Sequence, residues 1–255
     1  MKKITIEYIK SLKDKAEAFP TITAYDYFSA QIVDEAEIPL ILVGDSASMV
    51  VYGYTTTIPI SMNEMLIVTK AVCRGAKRSL VVADMPFLSY QPSVEETIKN
   101  AGILIKKGNA QAVKLEGGQH MFDNINSLVN NGIPVMGHVG LTPQSYHQMS
   151  GYKIQGKTSK DAQRIIDDAI AVEDAGAFSV VLECIPEDLA QEITLKLSIP
   201  TIGIGSGRLC DGQIQVFHDV VGLAKNPPPR HALNQLDVYD IMLNAVGAYK
   251  TIVEN

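Results

Sequence analysis

The sequence predicts an α/β protein in which a single domain, residues 1–255, folds as a (βα)8 TIM barrel. Two observations predict this fold. Short continuous apolar runs alternate with amphipathic stretches, and nearly every apolar run ends in a polar or ionisable residue. Strands that read as continuous apolar runs are buried on both faces, as in a parallel sheet, and eight of them alternating with helices favour a barrel. An open, doubly wound sheet is the alternative.

Eight apolar runs are the candidate strands. They cover residues 19–24, 38–43, 79–83, 110–115, 133–137, 178–182, 199–204 and 214–217. Helices are predicted over residues 61–74, 93–107, 159–175 and 186–197, with an N-terminal capping helix near 5–16 and a last helix over about 236–250. Ser61 with Glu64, and Ser93 with Glu96, have the capping-box spacing that begins a helix. Residues 226–230, which read Asn-Pro-Pro-Pro-Arg, are expected to form a stiff loop.

Composition narrows the class of protein. The chain is 46% hydrophobic and 20% charged, as in ordinary globular proteins. Its net charge of −6 argues against nucleic acid as a partner. We expect no membrane span and no signal peptide, because the chain lacks a sufficiently long apolar run. Cys73, Cys184 and Cys210 are scattered with no CxxC pair, which favours the reducing cytoplasm.

Ionisable side chains follow the predicted strands at one end. Acidic residues lie one or two positions past the ends of four predicted strands, and His138 follows a fifth; the acids are Asp45, Asp84, Glu116 and Glu183. Barrel enzymes build their active sites at the C-terminal ends of the strands. A single acid there is equally explained as a solvated loop residue or a helix N-cap. Four acids at the same end predict a functional site.

Strand alternation places Lys114 in the same site. Lys114 and Glu116 lie two residues apart and therefore share a face, whereas Val113 and Leu115 take the other face and pack on helices. Charged side chains that point into a barrel are rarely left unpaired. The pair is therefore either a structural lysine–acid contact or a cation that binds a substrate carboxylate beside a metal-binding acid.

The acids predict a hard metal ion. Asp45, Asp84 and Glu116 offer only oxygen ligands, which favours Mg²⁺, although other divalent ions are possible. A 2-oxo acid would complete the coordination with its carboxylate and keto oxygens. His138 either orients water or substrate, or forms a hydrogen bond within the upper layer of the barrel.

Two further polar segments are less informative. His218 and Asp219 follow the last predicted strand, where a structural role is favoured. The glycine-rich segment 203–207 resembles a phosphate turn, but a dinucleotide fingerprint needs glycine at the position of Arg208. A tight turn after a strand explains this segment at least as well.

Several segments together resemble the ketopantoate hydroxymethyltransferase family. They read Thr-Ile-Thr-Ala-Tyr-Asp at 21–26, Val-Gly-Asp-Ser at 43–46, Ala-Asp-Met-Pro-Phe at 83–87, Val-Lys-Leu-Glu-Gly-Gly at 113–118, Gly-His-Val-Gly-Leu-Thr-Pro-Gln at 137–144, Leu-Glu-Cys at 182–184 and Asp-Gly-Gln at 211–213. The resemblance runs in order through residues 4–222. It departs at 222–231, where the family's Pro-Lys-Phe-type segment is replaced.

The resemblance implies a fold, a reaction and an assembly. It implies a barrel of the phosphoenolpyruvate/pyruvate type, usually a decamer. The implied reaction converts 3-methyl-2-oxobutanoate, 5,10-methylenetetrahydrofolate and water into 2-dehydropantoate and tetrahydrofolate through a Mg²⁺-stabilised enolate, at the start of pantothenate biosynthesis.

The resemblance also implies roles for individual residues. Asp45 and Asp84 match acids that bind Mg²⁺ and contact the substrate, and Glu116 matches one that supports the metal through water. Ser46 and Lys114 match residues that hold the substrate carboxylate region. Glu183 matches the proposed general base, and His138 is a further supporting residue.

Two other functions are compatible with the same barrel. A Mg²⁺-dependent carbon–carbon lyase or mutase acting on 2-oxo acids would share the strand-end acids, but would usually carry a cysteine in a glycine-rich motif that is not found here. A catalytically silent binding protein would have lost metal-ligand acids, and all three are present. Folate-dependent turnover separates the first alternative, and binding of a 2-oxo acid with and without Mg²⁺ separates the second.

Overall fold

A closed barrel of eight parallel strands forms the fold, which confirms the barrel and excludes the open sheet. The computed structural model describes residues 3–224, 229 and 232–255. Most of the predicted proline-rich loop at 226–230 lies outside the described residues. The strands are β1 Phe19–Thr23, β2 Leu40–Val43, β3 Leu80–Asp84, β4 Ala112–Lys114, β5 Val135–Gly140, β6 Ser179–Glu183, β7 Thr201–Ile204 and β8 Gly212–Gln215.

Helices connect the strands, as the alternating pattern predicts. They are α1 Ile6–Asp14, α2 Tyr27–Glu35, α3 Ala47–Val50, α4 Met62–Gly75, α5 Val94–Lys106, α6 Phe122–Asn130, α7 Ser159–Asp174, α8 Glu187–Lys196, α9 Phe217–Val221 and α10 Val238–Glu254. Short 3-10 turns at Gln119–Met121 and Pro143–Ser145 follow β4 and β5. The helices α2, α3, α6 and α9 were not predicted.

Local capping explains where several helices begin. The Ser61–Glu64 pair forms the complete capping box at α4, as predicted. At α5 only one half of the box is present, because Ser93 accepts a hydrogen bond from the backbone of Glu96. The helix α2 begins instead at Asp26, whose carboxylate caps the first turn. An aspartate N-cap of this kind is a signal that the amphipathic pattern alone does not carry.

The last strand lies two residues earlier than predicted. The predicted strand 214–217 is wrong, because β8 is Gly212–Gln215 and Phe217 is the first residue of α9. A side chain at Gly212 would collide with the ring of Phe19 in β1, so only glycine lets the chain pass there. His218 and Asp219 therefore lie in a short helix and do not end a strand.

The bottom of the barrel is filled by apolar side chains. Ile9 and Leu12 of α1 belong to the same buried cluster as strand residues such as Leu40, Leu80 and Ile202. This packing confirms that α1 is an N-terminal capping helix. The opposite end, where the strands terminate, is left to polar residues.

The chain divides into two compact units, Met1–Ile214 and Gln215–Asn255. The first contains β1 to β7 and almost all of β8, and the second contains α9 and α10. The single domain predicted over residues 1–255 stays a prediction. Within the described residues, no helix is both long and apolar enough to cross a membrane.

A buried carboxylate joins α2 to the start of β3. Asp34 accepts hydrogen bonds from the backbone N–H groups of Lys77, Arg78 and Ser79 and from the Ser79 hydroxyl, at 2.7–3.0 Å. Burial opposes its ionisation, but these hydrogen bonds outweigh burial and lower the pKa of Asp34. A carboxylate that takes several N–H groups at once fixes the entry of the chain into β3.

Replacing Asp34 should destabilise the barrel measurably. We expect Asp34→Ala to lower the free energy of unfolding by about 2–4 kcal/mol, because it leaves several donors without their acceptor. Urea denaturation followed by circular dichroism measures this change, with Glu35→Ala as the exposed neighbouring control. Equal stability of the two variants would contradict the role given to Asp34. In the wild type the contribution should be lost as the pH falls through the lowered pKa of Asp34.

Candidate active site

The acidic residues predicted at the strand ends lie together at one end of the barrel. Asp84 ends β3, Lys114 ends β4 and Glu183 ends β6, while Asp45 and Glu116 follow β2 and β4 by two residues. All five are buried except Glu183, whose side chain is 16% exposed. The barrel therefore brings together four acids that are separated by up to 138 residues in the chain, since Asp45 and Glu183 mark its extremes.

A buried ion pair joins two neighbouring strands. Asp84 and Lys114 are register partners across β3 and β4, and Lys114 Nζ lies 2.5 Å from Asp84 Oδ1. Burial alone would lower the pKa of Lys114, but the charges of Asp84, Glu116 and Asp45 raise it above its usual value. Lys114 is therefore a permanent cation in this site.

Asp45 adds a further buried carboxyl group to the pair. Its backbone N–H donates to Asp84 Oδ2 at 3.0 Å, which brings the two residues side by side. Burial, and then the charges of Asp84 and Glu116, raise the pKa of Asp45 well above its usual range. Burial also raises the pKa of Asp84, although Lys114 opposes the effect. Three acids therefore lie near the single ammonium of Lys114, and a bound cation would stabilise their ionised forms.

The described residues fit a metal ion that takes few of its ligands from the protein and the rest from water and substrate. Within residues 3–224, 229 and 232–255, no three His, Cys, Asp or Glu side chains already surround one metal position. Asp45 and Asp84 nevertheless sit side by side with buried oxygen atoms, which is the small carboxylate set that Mg²⁺ uses when water and substrate complete its shell.

A second chain of contacts runs from Glu116 to Glu183 through His138. The ring atoms Nδ1 and Nε2 of His138 lie 3.6 Å from Glu116 Oε1 and 3.2 Å from Glu183 Oε2. Neither ring nitrogen has a partner in hydrogen-bond geometry. Burial and Lys114 disfavour the charged ring, but the two carboxylates outweigh them and raise the pKa of His138 to about 9. His138 lies inside β5, not after it as predicted, so its backbone is fixed by the sheet.

Two buried residues that the sequence did not single out hold this arrangement together. Gln144 donates from Nε2 to Asp45 Oδ2 at 2.9 Å, and its backbone N–H donates to Glu116 Oε2 at 3.0 Å. Tyr90 donates to Gln144 Oε1 at 2.7 Å and accepts from the backbone N–H of Glu116 at 3.1 Å. Gln144 is the last residue of the 137–144 segment that resembles the family, so the resemblance could have pointed to it. No motif in the sequence around Tyr90 points to that residue.

Two serine hydroxyls near the strand ends, those of Ser46 and Ser206, differ in whether a structural hydrogen bond already occupies them. Ser46 Oγ lies 2.7 Å from the Tyr25 hydroxyl, at the start of α3, where it makes no capping hydrogen bond to the helix. Ser206 donates to the backbone carbonyl of Leu182 at 2.6 Å and is a structural contact. Ser46 therefore stays a candidate for substrate contact.

Comparison with known proteins gives matches to one family over nearly the whole chain. The family model described as ketopantoate hydroxymethyltransferase matches residues 3–255. A 3-methyl-2-oxobutanoate hydroxymethyltransferase from Carboxydothermus hydrogenoformans is 51% identical over 98% of this chain and 90% of its own length. One from Thermosipho melanesiensis is 52% identical over 98% of this chain and 94% of its own length.

Solved structures share the fold at low identity. A phosphoenolpyruvate phosphomutase from Streptomyces platensis superimposes with a TM-score of 0.65 at 11% identity, covering 98% of this chain and 87% of its own. A phosphonopyruvate hydrolase bound to oxalate and Mg²⁺ superimposes with a TM-score of 0.64 at 13% identity, covering 86% and 82%. At such identities the comparison establishes the barrel type alone.

Fold and site together define a (βα)8-barrel enzyme with an acidic centre at the C-terminal ends of its strands. The type of barrel is the one shared by the phosphoenolpyruvate mutase group. Within that class, the full-length family match and the relatives at about half identity are decisive. The chain belongs to the ketopantoate hydroxymethyltransferase family and is a transferase.

Removing the Lys114 charge should destabilise the protein through Asp84. We expect Lys114→Met to lower the free energy of unfolding by about 3–5 kcal/mol in metal-free buffer, because it leaves buried carboxylates without a cation. The double variant Lys114→Met/Asp84→Asn should recover most of the loss. Urea denaturation measures both, and a double variant no more stable than the single one would contradict the pairing.

The stability lost in Lys114→Met should depend on pH. Burial already raises the pKa of Asp84, so a lower pH neutralises this residue in the folded state. The difference in free energy of unfolding between Lys114→Met and the wild type should therefore become smaller as the pH falls. A difference in free energy of unfolding that grows toward low pH would contradict this account.

Proposed function

We propose that this chain transfers a hydroxymethyl group from 5,10-methylenetetrahydrofolate to 3-methyl-2-oxobutanoate, giving 2-dehydropantoate in the first step of pantothenate biosynthesis. The observation that carries the proposal is the buried cluster of Asp45, Asp84 and Lys114, with Glu183 in the same barrel mouth, in a chain of this family. The relatives' shared name supports the choice of acceptor substrate.

The proposed metal is Mg²⁺, or another divalent ion, held by Asp45 and Asp84 directly and by Glu116 through water. The excess of carboxylates over ammonium groups in the cluster supports this assignment. When bound, the ion supplies Lewis-acid polarisation of the substrate's keto oxygen.

Lys114 and Ser46 are proposed to orient the substrate. Lys114 brings a fixed positive charge into a site that otherwise repels a carboxylate. Ser46 offers a hydroxyl beside Tyr25. Together they would hold the acid group of 3-methyl-2-oxobutanoate, so that its C3 hydrogen faces the rest of the barrel mouth.

Glu183 is proposed as the general base. Its position at the end of β6 fixes its backbone, and its side chain stays partly open to the barrel mouth. The C3 proton passes to a Glu183 oxygen, and the electrons of the C–H bond form the double bond of an enolate. The enolate carbon then bonds to the methylene carbon of the folate as the bond from that carbon to N10 breaks, and N10 takes the proton held by Glu183. Water then bonds to the same carbon as its bond to N5 breaks, supplying the hydroxyl oxygen and giving a proton to N5, so that tetrahydrofolate leaves. His138, 3.2 Å from Glu183, supports the orientation of that carboxylate.

Removal of the base should stop exchange and transfer together. Wild-type protein with Mg²⁺ should exchange the C3 hydrogen of 3-methyl-2-oxobutanoate with deuterated water in the absence of folate. Glu183→Gln keeps the side chain's size but not its basicity, so both exchange and hydroxymethyl transfer should fall by about 10²–10⁴-fold. Nuclear magnetic resonance measures the exchange, and Glu192→Gln on the exposed face of α8 is the matched control.

Substrate binding should survive in the Glu183→Gln variant, because Ser46 and Lys114 remain. Exchange at the wild-type rate in that variant would show that another group takes the proton, with His138 the first candidate.

Metal affinity should follow the proposed ligands. We expect Asp45→Ala and Asp84→Ala each to abolish the dependence on divalent ions together with most activity. Glu116→Ala should weaken metal binding less, because its contact is made through water. Isothermal titration with Mg²⁺ measures the affinities, and an unchanged affinity in Asp84→Ala would contradict the ligand assignment.

We propose further that the protein is a cytoplasmic homo-oligomer, with a decamer as the expected size. The three free cysteines support a reducing compartment. Large apolar side chains exposed on the barrel helices support self-association, among them Phe28 and Ile32 of α2 and Ile67 of α4.

The assembly should be visible in solution. Light scattering should give a mass several times the 27.7 kDa of one chain, near tenfold for the decamer. A mass of one chain at working concentration would contradict the proposed assembly.

A further inference from the structure

A cavity of about 790 Å³ opens beside the acidic cluster. Glu116 and Gln144 belong both to its wall and to the hydrogen-bond network around Asp45, so its inner end meets the candidate active site. Pockets of about 300–1,000 Å³ accommodate ligands of drug size. A five-carbon 2-oxo acid is much smaller, so the cavity has room for a second ligand beside it.

The walls of the cavity combine apolar surfaces with hydrogen-bond acceptors. Phe87, Met121 and Val139 line it together with the carboxylates of Glu116 and Asp168. Arg164 also lines the cavity, and its Nη1 lies 3.4 Å from Asp168 Oδ2. This pairing partly offsets both charges, and the wall still has two carboxylates, Glu116 and Asp168, to one guanidinium. The cavity therefore fits a flat ring with more donors than acceptors better than it fits an anion.

Two consecutive glycines, Gly117 and Gly118, leave the space beside the cavity that the carboxylate of Asp168 occupies. A side chain at Gly118 would overlap Asp168, and Gly117 has a φ of +124°, which glycine adopts without strain. Asp168 Oδ1 accepts from the backbone N–H of Gln119 at 2.9 Å. The side chain is 15% exposed, so it retains acceptor capacity toward the cavity. The Gly-Gly segment after Glu116 thus shapes a binding wall.

We propose that this cavity binds the reduced pterin ring of the folate cosubstrate, with Asp168 accepting hydrogen bonds from the donor edge of its pyrimidine. The inference rests on the proposed function, because it assigns a place to that cosubstrate. The pterin presents an amino group and ring N–H donors, which match a carboxylate. The other half of the folate, an aminobenzoyl glutamate, carries two carboxylates that Glu116 and Asp168 would repel.

The position of the cavity also fits the reaction. The transferred carbon is attached at the edge of the pterin that faces the aminobenzoyl group. A pterin lodged against Phe87 and Val139 can present that edge at the inner end, beside Glu116 and Gln144. The one-carbon unit would then enter the acidic cluster where the enolate carbon forms.

The test compares the two halves of the folate on variants of the cavity wall. Tetrahydrofolate, 6-methyltetrahydropterin and aminobenzoylglutamate are titrated into protein saturated with Mg²⁺ and 3-methyl-2-oxobutanoate. Asp168→Asn, which keeps the side chain's size, should raise the Kd of tetrahydrofolate and of the tetrahydropterin by about tenfold or more. Asp167→Asn, one residue earlier on α7 and absent from the cavity wall, is the matched control and should leave both Kd values unchanged.

A second variant tests whether weaker binding can be separated from a folding defect. Gln148 is an exposed residue of the cavity wall, so Gln148→Trp narrows the cavity without disturbing the core. It should also weaken binding of the tetrahydropterin, while its circular dichroism spectrum and midpoint of thermal unfolding stay those of the wild type.

The outcomes separate this inference from the proposed function. If both cavity variants bind the tetrahydropterin as the wild type does, or if they lose affinity for aminobenzoylglutamate alone, the inference is overturned. Exchange of the C3 hydrogen by wild-type protein needs no folate, so its absence would count against the proposed function whatever the cavity binds. Normal wild-type exchange with no binding of tetrahydropterin would overturn the inference alone.

Discussion

The site depends on one buried cation. Lys114 lies in register with Asp84, and both Asp45 and Glu116 raise its pKa, so a single ammonium group is shared by three carboxylates. Burying several acids together without a cation is strongly unfavourable. The ammonium makes the cluster possible, yet it does not neutralise it. A further cation would stabilise the ionised forms of the remaining carboxyl groups, whose pKa values burial raises.

The parallel barrel converts this electrostatic constraint into a geometry. Every strand ends at the same rim, so residues at equivalent strand ends are neighbours whatever their distance along the chain. The carboxylate of Glu183, the proposed base, and the cluster around Lys114 are joined through His138 and Glu116 across that rim. Charge is thus concentrated at one end of the barrel, while α1 closes the other with apolar side chains.

Much of this architecture could be predicted from the sequence because it follows from local pattern. Apolar runs predicted the first seven strands and overlapped the eighth, and the two-residue alternation correctly placed Lys114 and Glu116 on one inward face. The errors arise where a distant partner decides the outcome. The start of β8 is set by the space that Phe19 leaves at Gly212, and the end of β5 by pairing with β6 beyond His138. The contact between Tyr90 and Gln144 joins loops 54 residues apart, so no apolar or alternating pattern reveals it.

The closeness of Gly118 to Asp168 has a consequence for how this barrel can change. Any larger side chain at position 118 would overlap Asp168, the tenth residue of α7, and would have to shift that helix, which is anchored by Ile165 and Ile166 in the core. The loop after β4 and the helix before β6 can therefore diverge only in concert. A substitution in one demands a compensating substitution in the other, so these two segments should covary during evolution and should be redesigned as a single unit.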